Sequence, residues 1–280
     1  MPGNPSTGTL ITSGSRRLAG LARVLGFDEP SSQAMREVFL TLASSWRELP
    51  AGGAPPWLSD VCDDHSPYEL SMAVDAEGPQ LRVLVEPMDA PHSLEANRAA
   101  SLRLHEVLTR DFGLRLERVR ALEELLLPQR AQGRFVAWYS AALSPGQPLD
   151  FKAYFNLHVQ GPGRAPRLTE EALHRLGFHA AWPTVASVLG RREVGEDELV
   201  YLALDVSSRS DARVKLYFRH HRPSATFLDE LCAVARHHSP GAVAGFCRDM
   251  AGGHEGPYGG KGPVTCFSFT DPSDARPKAV

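Results

Sequence analysis

Apolar and polar positions alternate with a period of two in three well-separated stretches, residues 81–87, 151–156 and 213–218. That period sends successive side chains to opposite faces of an extended strand. One face carries Arg82, then Lys152 and Tyr154, then Arg213, Lys215 and Tyr217. The other carries Val83 and Val85, then Ala153 and Phe155, then Val214, Leu216 and Phe218. Each strand follows an apolar-rich partner, over residues 68–74, 135–143 and 199–206, joined through turn residues as hairpins require. Between the hairpins the spacing predicts helices over 94–111, 115–127, 170–176, 182–189 and 224–237, and residues 15–25 and 32–49 supply a first pair. Pro183 falls near a helix start, where it is tolerated.

The unit that repeats is therefore helix, helix, strand, strand. Its register is regular: Arg82 to Lys152 is 70 residues, Lys152 to Lys215 is 63, and Lys215 to Lys278 is again 63. Cations and tyrosines recur at one place in successive hairpins. An α+β fold accounts for this, an antiparallel β-barrel of ααββ units with helices outside and a polar chamber within. A flat sheet with one wet, charged face stays open on pattern alone. The whole chain, 1–280, reads as a single domain.

Composition narrows the function. The 280 residues are 42% hydrophobic with a formal net charge of -3, enough for a sizeable core and without the basic footprint of a nucleic-acid binder. No apolar run approaches the roughly 20 residues of a membrane helix. Residues 1–17 lack the apolar core of a signal peptide, so a cytoplasmic protein that engages neither membrane nor nucleic acid is expected. Cys62, Cys232, Cys247 and Cys266 are scattered, and the doublets His220-His221 and His237-His238 point their rings apart, so no metal site is expected. Nothing in the pattern excludes a homodimer.

Such a chamber suits a small, highly charged ligand bearing a reactive carbon. Arg82, Lys152, Arg213 and Lys215 offer charge to offset a diphosphate without metal. Tyr154 and Tyr217, each two residues beyond a lysine on the same face, offer rings to shield a carbocation, at about 0.5–2 kcal/mol each. Asp63 and Asp64 read as turn and cap residues, because no second carboxylate cluster accompanies them. Glu69 lies within a strand between Tyr68 and Leu70. A carboxylate there needs a partner, and the ring N–H of an aromatic substrate would serve.

Residues 63–71 and 81–87, together with Lys152-Ala153-Tyr154-Phe155, Arg213-Val214-Lys215-Leu216-Tyr217 and residues 264–269, resemble the dimethylallyltryptophan synthase family of indole prenyltransferases. The similarity runs from about Leu18 to the last residue, with a bacterial rather than fungal texture. It implies the ten-stranded prenyltransferase (ABBA) barrel and a role in secondary metabolism such as alkaloid biosynthesis. It also implies metal-independent alkylation of tryptophan or a related indole by dimethylallyl diphosphate, a co-substrate, with no cofactor. Residue by residue, Glu69 matches the glutamate on the indole N–H. Arg82, Lys152, Arg213 and Lys215 match diphosphate ligands, and Tyr154 and Tyr217 match the tyrosine shield. The backbone at Asp60 and Val61 falls where the family holds the amino-acid substrate.

Three departures stand out. Trp138 or Tyr139 replaces a lysine assigned to ring deprotonation in fungal members, and Asn156 replaces a tyrosine that binds the substrate carboxylate. On the resemblance, residues 264–269 form the seventh strand and Lys278 opens the eighth, so a C-terminally shortened barrel is expected. Two alternatives remain at this point: a phenol, naphthalene or tyrosine acceptor on the same barrel, or a non-catalytic remnant that only binds ligand.

Overall fold

The computed structural model describes residues 8–75, 78–207, 209 and 211–280. The first seven residues of the polar N-terminal stretch lie outside them. The elements run α1 (Leu10–Val24), α2 (Glu29–Leu42), β1 (Tyr68–Asp75), β2 (Gly78–Val85), α3 (Leu94–Phe112), α4 (Glu117–Leu126), β3 (Ala137–Leu143) and β4 (Asp150–Asn156). They continue with α5 (Ala165–Arg175), α6 (Trp182–Leu189), β5 (Asp197–Asp205), β6 (Val214–His220), α7 (Ala225–Cys232), α8 (Ala242–Met250) and β7 (Val264–Phe269). Two helices precede two strands three times over, and a fourth repeat begins. Contacts divide the chain into two compact units. The first comprises Met1–Val119, Leu127–Phe155 and Asp205–Ser207; the second comprises Arg120–Leu126, Asn156–Leu204 and Ser208–Val280.

In the first unit, local chemistry sets the helix starts. Asp28 Oδ1 accepts the Ser31 N–H at 2.8 Å to open α2, and Ser93 Oγ accepts the Ala96 N–H at 3.1 Å to open α3. Helices α1 and α2 bury Leu18, Met35, Val38, Phe39 and Leu42. The Phe39 and Tyr68 rings lie 5.4 Å apart, and Trp46 stacks on Tyr68 at 6.0 Å. Gly14 makes this close approach possible, because a Cβ there would fall 2.6 Å from the Phe39 ring.

Strands β1 to β4 form an antiparallel meander whose register aligns Glu69 with Leu84, Leu84 with Ser140, and Ser140 with Lys152. Residues directly opposite one another in such a ladder share a face. Glu69, Leu84, Ser140 and Lys152 therefore form one cross-strand row. The next row is Ser71, Arg82, Ala142 and Asp150, and on the other side Trp138 pairs with Tyr154. The opposite face is apolar, with Leu81, Val83, Val85, Ala141, Ala153 and Phe155 all buried.

In the second unit, β6 pairs with β5 and β7, setting Lys215 between Ala203 and Ser268, and Tyr217 between Tyr201 and Cys266. A register shift between Leu199 and Tyr201 turns the Tyr201 ring to the Tyr217 side. Ser268 bridges antiparallel to Ala279, so chain pairs with β7 where the 63-residue register set an eighth strand.

Three helix readings needed correction. The helix expected over 32–49 ends at Leu42 and is followed by a 3-10 turn at Ser44–Trp46, the helix expected over 224–237 ends at Cys232, and α8 was not expected at all. Gly241 precedes α8 in a left-handed conformation, and the Asp229 carboxylate of α7 accepts the Gly241, Val243 and Ala244 N–H groups. A cap supplied from another helix leaves no local signature at the start of α8.

Candidate active site

The polar face of the first unit is recessed at its centre. On β3, Trp138, Ser140 and Ala142 are only 6%, 9% and 3% exposed, although they share the face of Glu69 and Lys152. A flat sheet with a wet, charged face does not produce such values. Glu69 is half-buried on β1. The Lys152 side chain is 11% exposed and ion-pairs with Asp150, its neighbour two residues back on the same face. Arg82 is exposed, and its Nε donates to Gln80 Oε1 at 2.6 Å. Tyr154 is half-buried opposite Trp138, whose indole stacks on Phe135 with centroids 3.8 Å apart.

The segment before β1 is tied to the same unit. Asp60 ion-pairs with Arg134 at 3.0 Å, and the Val61 N–H donates to Ser59 Oγ at 3.3 Å. Asp64 Oδ1 accepts the Ser66 N–H at 2.9 Å, and that bond holds its carboxyl below the usual range. This is the turn role expected of it. Of the two residues standing where the fungal lysine would be, only Trp138 lies on the polar face. Tyr139 faces the other way and meets His105 Nε2 through its hydroxyl at 2.6 Å.

In the second unit, Arg213, Lys215 and Tyr217 are half-buried. Tyr217 packs against Tyr201 with centroids 6.0 Å apart, and Arg219 Nη2 donates to the Tyr201 hydroxyl at 3.3 Å. Burial pushes the Cys266 thiol up, while a Tyr217 hydrogen bond and the charges of Lys215 and Arg213 pull it down. That influence ties Lys215 and Tyr217 of β6, and Arg213 just before it, to one neighbourhood. Asn156 is buried and accepts the His158 N–H through Oδ1 at 2.8 Å.

Three residues of these walls were not singled out in the sequence. Tyr201 lay in a strand read as apolar, and the register shift that turns it is not visible in alternation. Asp150 was legible, since it sits two residues before Lys152. Glu86 falls within the 81–87 stretch without anything to mark it out, yet it is fully buried. Among the described residues no group of three or more histidines, cysteines or carboxylates could hold a metal ion.

The arrangement can be compared with known proteins. The model of the tryptophan dimethylallyltransferase family matches residues 41–233. A solved 6-dimethylallyl tryptophan synthase is 31% identical with a TM-score of 0.89, and the match covers 97% of this chain and 77% of that one. The chain belongs to the tryptophan dimethylallyltransferase family. A 6-dimethylallyltryptophan synthase from Micromonospora olivasterospora, solved with DMASPP and Trp, is 30% identical with a TM-score of 0.89, over 96% of this chain and 76% of that one. A 5-dimethylallyl tryptophan synthase from Streptomyces coelicolor, also with DMASPP and Trp, is 30% identical with a TM-score of 0.86, over 97% and 74%. The protein is thus an aromatic prenyltransferase with the antiparallel prenyltransferase-barrel fold, and it spans about three quarters of the length of these family members. No helix among the described residues is long and apolar enough to cross a membrane.

Proposed function

We propose that the protein transfers a dimethylallyl group from dimethylallyl diphosphate to the ring of L-tryptophan or a closely related indole, without a metal ion, the two compact units acting as one catalytic domain in the cytoplasm. The observation that carries this reading is the row Glu69, Leu84, Ser140, Lys152 on a recessed face. It sets a carboxylate and a cation three strands apart, roughly 14 Å along the sheet. That span accommodates an indole at the acid and a prenyl diphosphate at the cation.

Arg82, Lys152, Arg213 and Lys215 bind the diphosphate and act where negative charge grows as it leaves. The allylic C1–O bond breaks heterolytically, the oxygen keeping the electron pair. Tyr154 and Tyr217 present their ring faces to the resulting cation and keep water from it. Glu69 accepts the indole N–H bond, which enriches the ring and fixes which atom faces the cation. A ring π pair then forms the new bond to C1, and loss of the ring proton restores aromaticity. The backbone at Asp60 and Val61 holds the amino-acid end of the acceptor, with Asn156 near its carboxylate.

The test is incubation with L-tryptophan and dimethylallyl diphosphate in excess chelator. A tryptophan product heavier by one dimethylallyl group is expected. Product formed only when a divalent metal is restored would overturn the metal-free mechanism, and prenylation of a phenol but not of tryptophan would overturn the acceptor.

A further inference from the structure

Glu86 follows β2 and is wholly buried, yet the mechanism above does not use it. Its N–H donates to the Pro67 carbonyl at 2.8 Å, so β-type pairing continues past the end of β2. By alternation Glu86 therefore shares the face of Arg82 and Leu84, in line with the Trp138–Tyr154 row and one step from the row of Glu69.

The groups around its carboxyl are donors. Oε1 accepts from Trp57 Nε1 at 3.2 Å and Asn97 Nδ2 at 3.2 Å, and Oε2 accepts from Ser59 Oγ at 2.6 Å. Burial is the largest influence on this acid and raises it to about 7, while Ser59, Trp57, Asn97 and Trp138 all pull it down. The backbone is held as well, since Trp46 Nε1 donates to the Glu86 carbonyl at 2.9 Å. Ser59 passes the tie onward: its Oγ accepts the Val61 N–H, and its carbonyl meets His65 Nδ1 at 3.0 Å.

We propose that Glu86 is a positioning residue for the acceptor: through Ser59 it fixes the Asp60–Val61 backbone. The inference rests on the function proposed above. Glu86 touches no substrate, because its carboxyl is wholly buried and taken up by Trp57, Ser59 and Asn97. Its effect belongs to the fit of tryptophan and not to the departure of diphosphate. A Glu86→Gln change keeps the shape but places an amide N–H2 in a shell of donors. An amide N–H2 facing Ser59 would take away the acceptor of its O–H, so the hydroxyl that holds the Val61 N–H would have to turn.

The experiment measures steady-state kinetics for wild type, E86Q and S59A, varying each substrate in turn. For E86Q the KM for tryptophan should rise about 10-fold, with the KM for dimethylallyl diphosphate within twofold of wild type. S59A should shift the same constant about threefold. If the two KM values move together, or neither moves in a folded E86Q enzyme, the inference is overturned. Should E86Q fail to fold, S59A decides: a selective rise supports the clamp and its absence refutes it. A wild-type enzyme that does not turn over tryptophan contradicts the proposed function instead. The clamp is then read by amide hydrogen exchange at Val61, which should be faster in S59A than in wild type, and equal rates would refute it.

Discussion

In the first unit the most deeply buried acid among the described residues is Glu86, held by neutral donors and pushed up to about 7 by burial. In the second it is Asp197, held by the Arg192 guanidinium at 2.5 Å and by His220 Nδ1 at 2.5 Å, while His220 Nε2 meets Thr265 Oγ1 at 2.8 Å. Burial would raise Asp197 too, but the bonds from His220 and Arg192 outweigh it and keep its carboxyl low. The two polar walls differ in the same sense. The first carries Glu69 and the Lys152–Asp150 pair, so a cation there already faces an acid. In the second, the cross-strand neighbours of Lys215 and Tyr217 are Ala203, Ser268, Tyr201 and Cys266, none of them acidic.

The largest expected effect separates the two buried acids by pH. A carboxyl whose folded pKa is raised holds its proton more tightly in the native state. Glu86 therefore costs stability as pH rises from its unfolded value near 4.5 to about 7, by about 3 kcal/mol in all. Asp197 has the opposite sign: its contribution is present above the unfolded value and is lost as pH falls through the depressed folded one. Denaturant unfolding of wild type and E86Q between pH 5 and 8 should show the upper slope vanish in the variant. An unchanged slope would assign it to another group.

Next in size is Glu69→Gln, which removes the charged acceptor of the indole N–H. A fall in kcat of about 100-fold, or about 2.7 kcal/mol, is expected with little change in the KM for the diphosphate. An enzyme that kept its full rate would take Glu69 out of the mechanism. Lys215→Ala should raise the KM for dimethylallyl diphosphate about 10-fold, because a charged contact to phosphate is lost. The smallest effect is the sharpest test of the contrast between the walls. Asp150→Asn removes the acid beside Lys152 and should lower the KM for the diphosphate about threefold. A rise would mean that Asp150 supports Lys152 and does not compete for it.

Much of the fold was legible because the chain states it twice, once as period-two strands and once as a recurring order of elements. Helix α6 falls on the residues that the pattern marked, and β7 on those that the family resemblance marked. What escaped was set by contacts distant in sequence. Helix α8 depends on Asp229 from α7 for its N-terminal cap. Tyr201 reaches the Tyr217 side through a register shift at a single residue of β5. Glu86 has the same side chain as an exposed turn glutamate, and its burial among donors from residues 57, 59 and 97 leaves no local mark. Glu69, Arg82, Lys152, Tyr154, Lys215 and Tyr217 lie on strands that the pattern marked, with Arg213 just before β6, and their roles come from the family resemblance.

The central claim is spatial, and a crystal grown with L-tryptophan and dimethylallyl thiolodiphosphate tests it most directly. The account predicts the diphosphate against Arg82, Lys152, Arg213 and Lys215, the prenyl carbons between Tyr154 and Tyr217, and the indole N–H on the Glu69 carboxylate. A diphosphate bound elsewhere, or an indole whose N–H does not reach Glu69, would contradict it.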